Sequence, residues 1–342
     1  MIELGERIVI AGGIEPRSRA LTGVQLLPNG DLLVGYRDGS DHLATDDGAV
    51  MTIRSTDGGR TWQEPRPVVA IPGWDCAGGR SMVQTPDGGL LMYVFQARRS
   101  HDPEVHVRPI KSFDNGHTWG PMGPELSIFS GWTEPNTSGQ MQVLSDGRWM
   151  IPVYGADSTS SITNPTGAAL NGSASYSIVA FSGDQGETWD EHAIVANDPA
   201  INFHELSVIR LDDERFLAVI RTQDPPFTSY QSYSADEGRS WSAPEPLPFA
   251  GQTPFLIGLP SGAIMCAYRD RDPDRPGVSA SITHDAGTIW EFAGQLYKGT
   301  DWNCGYPGLV TLPSGDIFCV YYSCYDSAGN SEVHGLSLRE TG

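Results

Sequence analysis

Basic side chains and long apolar runs are both scarce in this chain of 342 residues. Lys and Arg number 22 against 42 Asp and Glu, for a formal net charge of -20. That balance argues against a nucleic-acid partner, because phosphate binding draws on clustered Lys and Arg. It does not bar an anionic small substrate, since a local arginine cluster inverts the potential where it matters; solubility accounts for the acidity elsewhere. No apolar run approaches the roughly 20 residues of a membrane span. The opening residues, MIELGERIVIAGG, hold no apolar stretch of a secretory leader. The expectation is a cytoplasmic protein, or a secreted one if a leader has been removed, with no membrane partner. Cysteine is sparse as well: five residues, an odd number, with no C-x-x-C pair. This argues against a structural zinc site and for reduced, buried thiols. No metal-ligand spacing, phosphate loop or nucleotide fingerprint occurs, so neither metal nor cofactor is expected. Long helical periodicity is also missing. Short apolar runs bounded by turn signals take its place, which reads as all-β.

One phrase recurs five times: STDGGRTW from Ser55, SFDNGHTW from Ser112, SGDQGETW from Ser182, SADEGRSW from Ser234 and THDAGTIW from Thr283. Its pattern is Ser/Thr-x-Asp-x-Gly-x-x-Trp, at intervals of roughly 50–70 residues, the mark of a repeat architecture. The Asp accepts hydrogen bonds from nearby backbone N–H groups, as in Asx-turns. The Gly supplies positive φ, and the Trp folds over the turn with its indole N–H seeking an acceptor. The five Asp residues therefore read as structural. This phrase is the Asp-box, and on it the chain resembles the sialidase superfamily of β-propellers.

A second repeat precedes each Asp-box, a turn between two apolar strands, as in LLPNGDLLVGYR from Leu26, RLDDERFLAVIR from Arg210 and TLPSGDIFCVYY from Thr311. It occurs six times. The expected fold is a six-bladed β-propeller of four-stranded antiparallel blades, a single domain over residues 1–342. The sixth repeat lacks an Asp-box, and the segment around Arg7 to Ala11 is expected to supply its outer strand and protect the edges. Aligning the repeats places Arg37, Arg221 and Arg269 at the end of the second strand in repeats 1, 4 and 5. Glu205 and Tyr306 share one position at the start of the innermost strand, near the mouth of the central channel. Arg80 and Glu134 start the same strand in repeats 2 and 3. Trp74, Trp132 and Trp302 lie just before it, as packing at the tips or as sugar-stacking faces. His204 is expected to point away from Glu205 by strand alternation.

Arginine forks bind carboxylates bidentately. A phenol with pKa about 10 is a poor nucleophile, and a Glu that accepts its proton activates it. Sialidases use Tyr as the nucleophile among retaining glycosidases. FHELSVIRLDDERFLAVIR is similar to the family segment that holds the activating Glu and an arginine of the carboxylate-binding triad, which implies those roles for Glu205 and Arg221. CGYPGLVTLPSGDIFCVYY is similar to the segment of the nucleophilic Tyr, which implies Tyr306. RPGVSASITHDAG is similar to the strand that leads into a late Asp-box, which implies Arg275 as a further triad arginine, with Arg269 next in order. The family's acid/base Asp follows a blade 1 arginine in a loop. After Arg37 the candidates are Asp38, Asp41, Asp46 and Asp47, with Asp41 preferred.

The chain departs from the family at its start. Sialidases open the first inner strand with Arg-Ile-Pro, whereas this chain reads PRSRALTGVQ and counting back from the turn reaches Ala20. Arg19 is one residue off, and one residue in a strand changes face. The function implied by the resemblance is an exo-acting, retaining glycoside hydrolase of sialidase type on a glycan or sialoside-like substrate. The alternatives are a related carbohydrate enzyme, arabinanase-like hydrolase or uronate lyase, and a non-catalytic glycan-binding propeller.

Overall fold

The computed structural model describes residues 2–13, 17–42, 45–98, 104–126, 128, 132–157 and 175–341; within these, the side chains of 132–135 and 156–157 are not described. Nearly every regular element is a strand, and chain neighbours pair antiparallel in five sheets with a propeller-like arrangement. The first sheet takes Ser18–Leu26, Leu32–Gly39, Ala49–Ser55 and Arg66–Val69 in chain order. A seven-stranded sheet runs from Phe203 to Lys298, and its long strand Glu245–Gly258 pairs with Thr228–Ser234 at one end and Ile264–Asp270 at the other. The last sheet takes Gly305–Thr311, Ile317–Tyr322 and Val333–Glu340, and its outer strand is the N-terminal Ile2–Ala11. Arg7 there faces Leu336, and Ala11 faces Val333. The ends of the chain thus share one sheet, and the outer edge of Val333–Glu340 is covered.

The apolar core lies between successive sheets. Met265 and Ile282 pack with Leu309 and Leu336, and Val34 and Ile53 pack with Phe318 and Val320. Each sheet is buried on both faces, which is why its middle strands read as continuous apolar runs.

The Asp-boxes fold as their chemistry requires. Asp57 Oδ1 accepts from the backbone N–H groups of Arg60 and Thr61 at 3.0 and 2.9 Å, and Oδ2 accepts from the Thr61 hydroxyl at 2.6 Å. The indole N–H groups of Trp62 and Trp241 donate to Gly59 and Gly238 carbonyls at 3.1 and 2.9 Å. The residue before the boxed Gly is also left-handed, with φ 58° at Asn115, 62° at Gln185 and 60° at Glu237. Two successive left-handed residues match the twist of the flanking strands, as in type I′ turns.

A second shared feature sits in the innermost strands. Their register breaks between Ala20 and Gly23, Phe203 and Leu206, Gln252 and Phe255, and Gly305 and Gly308. Leu21, Thr253 and Tyr306 occupy these bulges with φ of 57°, 53° and 50°. Bulges re-aim side chains, and here they fall at the repeat position that carries Glu205 and Tyr306. In the second repeat the bulge is replaced by a short 3-10 turn, Gly79–Ser81. Gly79 packs backbone to backbone on the first sheet: a Cβ there would lie 2.3 Å from the Gly35 carbonyl carbon.

The Asp-boxes carry a pH signature. The threonine hydroxyl four residues on, helped by backbone N–H donors, holds the Asp57, Asp114 and Asp184 carboxyls at about 2. A depressed folded-state value contributes stability that is complete above the unfolded value of 3.8 and is lost as pH falls through about 2. The melting temperature is expected to fall between pH 5 and pH 2, and to fall less steeply in the triple Asp→Asn variant at these sites. Parallel pH dependences in thermal melts of the two proteins would contradict this.

Candidate active site

The strand Phe203–Arg210 buries Phe203 and Leu206 on either side of Glu205, which is itself 1% exposed. Burial alone would raise the Glu205 carboxyl. Arg221, His204 and Arg80 outweigh it and hold the group well below its ordinary value of 4.5. Arg221, on the adjacent strand Phe216–Thr222, reaches both carboxylate oxygens through Nη1 at 2.8 and 2.6 Å. The Tyr306 hydroxyl donates to Glu205 Oε1 at 2.8 Å, across 101 residues of sequence. Burial, with Glu205 adding to it, pushes the Tyr306 phenol up to about 12 against the pull of Arg221, Arg269 and Arg80. A buried carboxylate thus accepts a hydrogen bond from a neutral phenol.

Two further arginines flank the phenol. The Arg80 guanidinium carbon lies 5.0 Å from the Tyr306 ring centroid and that of Arg269 lies 5.4 Å away. Arg80 spends one nitrogen on the Pro254 carbonyl at 2.9 Å, and its Nε and Nη1 are buried with no partner. Arg269 donates to the Cys304 carbonyl at 2.5 Å and to the Tyr322 hydroxyl at 2.7 Å. Among the described residues no carboxylate is within ion-pair distance of Arg80 or Arg269. Among the described residues, one anion, Glu205, thus faces three close cations, Arg221, Arg80 and Arg269. Buried N–H groups without acceptors are costly, and a bound carboxylate would satisfy them.

The remaining sequence candidates are placed as follows. Arg37 is fully buried and pairs with Asp75 at 2.6 Å; its other nitrogens hold the Asp41 carbonyl at 2.7 Å and the Thr45 hydroxyl at 3.0 Å. It anchors the loop that follows it. Asp41 is exposed on that loop, and its carboxylate accepts the His42 backbone N–H at 2.6 Å. Asp38 is taken by Arg17 and Arg19 at 2.5 and 3.2 Å, and Asp47 accepts from Ser40 at 3.1 Å. Asp46 makes contacts of its own.

Arg19 is turned to Asp38, and its backbone N–H donates to Ser331 Oγ at 2.9 Å. The bulge after Ala20 sets Leu21 against the cluster of Ala20, Cys304 and Tyr322, on which Tyr306 also packs. Arg275 pairs with Asp270 and Asp272 at 3.3 and 2.9 Å and lies over Phe292. Of the two late arginines, it is Arg269 that the fold sets beside the phenol. His204 does not point away from Glu205: the bulge cancels the alternation, and its Nδ1 lies 3.4 Å from Glu205 Oε2. The Glu134 and Trp132 side chains lie outside the described residues.

Sequence reasoning gave no role to Tyr154, Tyr322 or His42. Tyr154 and Tyr322 occupy the same repeat position as Arg37, Arg221 and Arg269, so the alignment carried the signal for both. Tyr322 lies 6.2 Å from Tyr306 between ring centroids, and His42 lies 5.7 Å from Tyr322. Burial, Arg269 and Arg37 lower the His42 imidazole to about 4. In the sequence His42 entered only as the residue that follows Asp41.

The BNR repeat-like domain family matches residues 30–319. A sialidase of Micromonospora viridifaciens is 22% identical over 333 residues, covering 88% of this chain and 49% of that protein. The chain thus spans about half the length of that relative. Among solved structures, a Dyadobacter fermentans protein of unknown function superposes with a TM-score of 0.83 at 20% identity, covering 99% of both chains. A Hadza microbial sialidase gives 0.73 at 16% identity, covering 94% of this chain and 65% of that one. A Penicillium chrysogenum alpha-L-arabinanase gives 0.70 at 15% identity, covering 99% and 98%. At these identities the superpositions speak for the fold. With the family match over most of its length, the chain belongs to the BNR repeat-like domain family, within the sialidase superfamily of propellers.

Proposed function

We propose that this protein is a retaining, exo-acting glycoside hydrolase of sialidase type, built on six blades, that acts on a glycan ending in an acidic sugar. The six-blade reading treats the seven-stranded sheet as two blades that share Glu245–Gly258. The observation that carries the activity is the Tyr306–Glu205 hydrogen bond beside two arginines that have no carboxylate partner among the described residues. In this reading Arg80 and Arg269, with Arg221 behind them, bind the sugar carboxylate. Tyr306 Oη attacks the anomeric carbon and its proton passes to Glu205 Oε1. A tyrosine suits this carbon better than a carboxylate, which the substrate's own charge would repel.

The order of events follows from the acidities. The phenol is raised to about 12 and the carboxyl is held well below 4.5. Proton transfer ahead of attack is therefore strongly uphill, so the proton moves as the bond to the anomeric carbon forms. The arginines then face the negative charge that grows on the phenol oxygen. Asp41 protonates the leaving oxygen and later deprotonates the water that displaces Tyr306 from the sugar, while Glu205 returns its proton to the departing Tyr306 oxygen. The Asp41 loop is fixed by Arg37, and Asp41 is free of the ion pairs that occupy Asp38.

A second reading, a hydrolase of a non-sialic sugar on the same scaffold, is favoured by one observation: Arg19 is committed to Asp38, so the family's first triad arginine has no counterpart at its position.

The deciding assay sets a fluorogenic sialoside beside arabinoside and uronide analogues, with wild type and Tyr306→Phe. Sialoside turnover lost in the variant supports the first reading; turnover of another glycoside with none on sialoside supports the second. Glu205→Gln is expected to lower kcat/KM by about 10²–10⁴-fold. The Glu205 carboxylate accepts a proton only when ionised, so its limb of the pH profile falls below pH 4.5 and activity is lost as pH drops through it. An acid limb centred near neutrality would assign the base elsewhere. Asp41→Ala should slow a natural disaccharide severely and an aryl glycoside with an acidic leaving group only slightly. Equal losses on the two substrates would remove Asp41 from the proton-donor role.

A further inference from the structure

Arg271 has no part in the chemistry above, yet it is built into the rim of the same mouth. Its guanidinium carbon lies 3.9 Å from the Phe227 ring centroid and 4.4 Å from that of Trp302. The three residues come from loops of three different repeats: one follows Phe216–Thr222, one follows Ile264–Asp270 and one precedes Gly305–Thr311. Phe227 is held at φ 60°, a strained conformation for an aromatic residue. Trp302 is 51% exposed although it is the largest apolar side chain available for burial there.

The hydrogen bonding of Arg271 is thin. Nη1 donates to Gln252 Oε1 at 3.4 Å, an oxygen that Arg269 Nη1 also reaches at 3.5 Å. Gln252 thus ties this cation to the pocket arginine beside Tyr306. Among the described residues no carboxylate is within ion-pair distance of Arg271, in a chain with 42 acidic residues. Burial, Arg269 and Arg221 together lower the pKa of its guanidinium to about 10, which leaves it charged at neutral pH. Cation–π contact with two rings recovers part of the lost hydration. Arg271 is only half-buried, so its remaining N–H groups are not sealed off from a ligand.

We propose that Arg271, clamped between Phe227 and Trp302, is a second anion subsite that takes a carboxylate or sulfate ester on the sugar next to the one held at Tyr306. This rests on the glycan reading of the mouth. The clamp fixes the plane of the guanidinium and leaves its edge for bidentate contact with an oxyanion. The substrate class is then a glycan with two adjacent anionic residues, and Arg80 and Arg269 hold the first charge.

The test uses three disaccharides that share a terminal sialic acid and end in neutral galactose, sulfated galactose or glucuronate. Binding is measured by calorimetry to the Tyr306→Phe protein, which keeps the arginines and cannot form the covalent intermediate. A charged second residue is expected to tighten binding about tenfold or more, the size of one charge-assisted hydrogen bond. Arg271→Gln in that background should abolish the advantage and leave the neutral disaccharide unchanged, and Arg271→Lys should keep part of it. Equal affinity for all three, or an advantage that survives Arg271→Gln, overturns the subsite and leaves the glycan reading standing. Binding of none of the three overturns both.

Discussion

A carboxylate in a nearly water-free position sets the terms for the centre of this molecule. Glu205 is 1% exposed between apolar neighbours on an inner strand, where an ion without partners costs several kcal/mol. Arg221 covers both of its oxygens, Tyr306 donates to one, and Arg80 adds its field from the second repeat. Arg221 comes from the adjacent strand, but Tyr306 and Arg80 come from strands far apart in sequence, so the full set of partners assembles only when the sheets pack together. Closure depends on the two ends of the chain meeting in one sheet, through the pairing of Ile2–Ala11 with Val333–Glu340. The same network that makes the buried charge tolerable leaves the phenol neutral and the arginines in excess.

The scaffold is nearly periodic and the site is not. Four of the inner strands break register, and a fifth turns, within a residue of one repeat position, so five repeats carry an irregular backbone there. What occupies it differs: Leu21, Gly79, Glu205, Thr253 and Tyr306. The end of the second strand forms another ring of equivalent places, filled by arginine in Arg37, Arg221 and Arg269 and by tyrosine in Tyr154 and Tyr322. A repeated fold thus offers fixed seats, and function is a matter of which side chains fill them. The strain of φ near 50° at Tyr306 is part of this arrangement, since it turns the ring towards Glu205 across the channel rather than along its own sheet.

The legible parts of the sequence were those that depend on local chemistry or on counting between repeats. The Asp-box turns, the alternation of apolar strands and the N-terminal closing strand all follow from short patterns. So does the common position of Glu205 and Tyr306. Bulges defeated finer reasoning. Strict alternation sent His204 away from Glu205, whereas the register break after Phe203 brings it to 3.4 Å. Spacing from the Asp-box favoured Arg275, but Asp270 and Asp272 sit within its reach and hold it, which leaves Arg269 beside Tyr306. Arg80 stands one residue off the repeat position because its strand gives way to a 3-10 turn, packed so closely on the first sheet that only Gly79 fits. These are consequences of backbone irregularity and of long-range pairing, which sequence spacing does not encode.

The distribution of charge connects the fold to its ligand. A chain with formal net charge -20 repels anions at long range, but such repulsion is screened within about 10 Å at ordinary ionic strength. Inside the mouth the balance inverts. Glu205 is matched by Arg221, Asp75 is matched by Arg37, and Arg80, Arg269 and Arg271 remain without carboxylate partners among the described residues. Acidic side chains are abundant enough to have paired these three, as they pair Arg17 and Arg19 with Asp38, and Arg275, four residues past Arg271, with Asp270 and Asp272. Unpaired cations at the centre of an acidic protein are a cost to folding that an anionic ligand offsets, so the site is expected to gain stability on binding one.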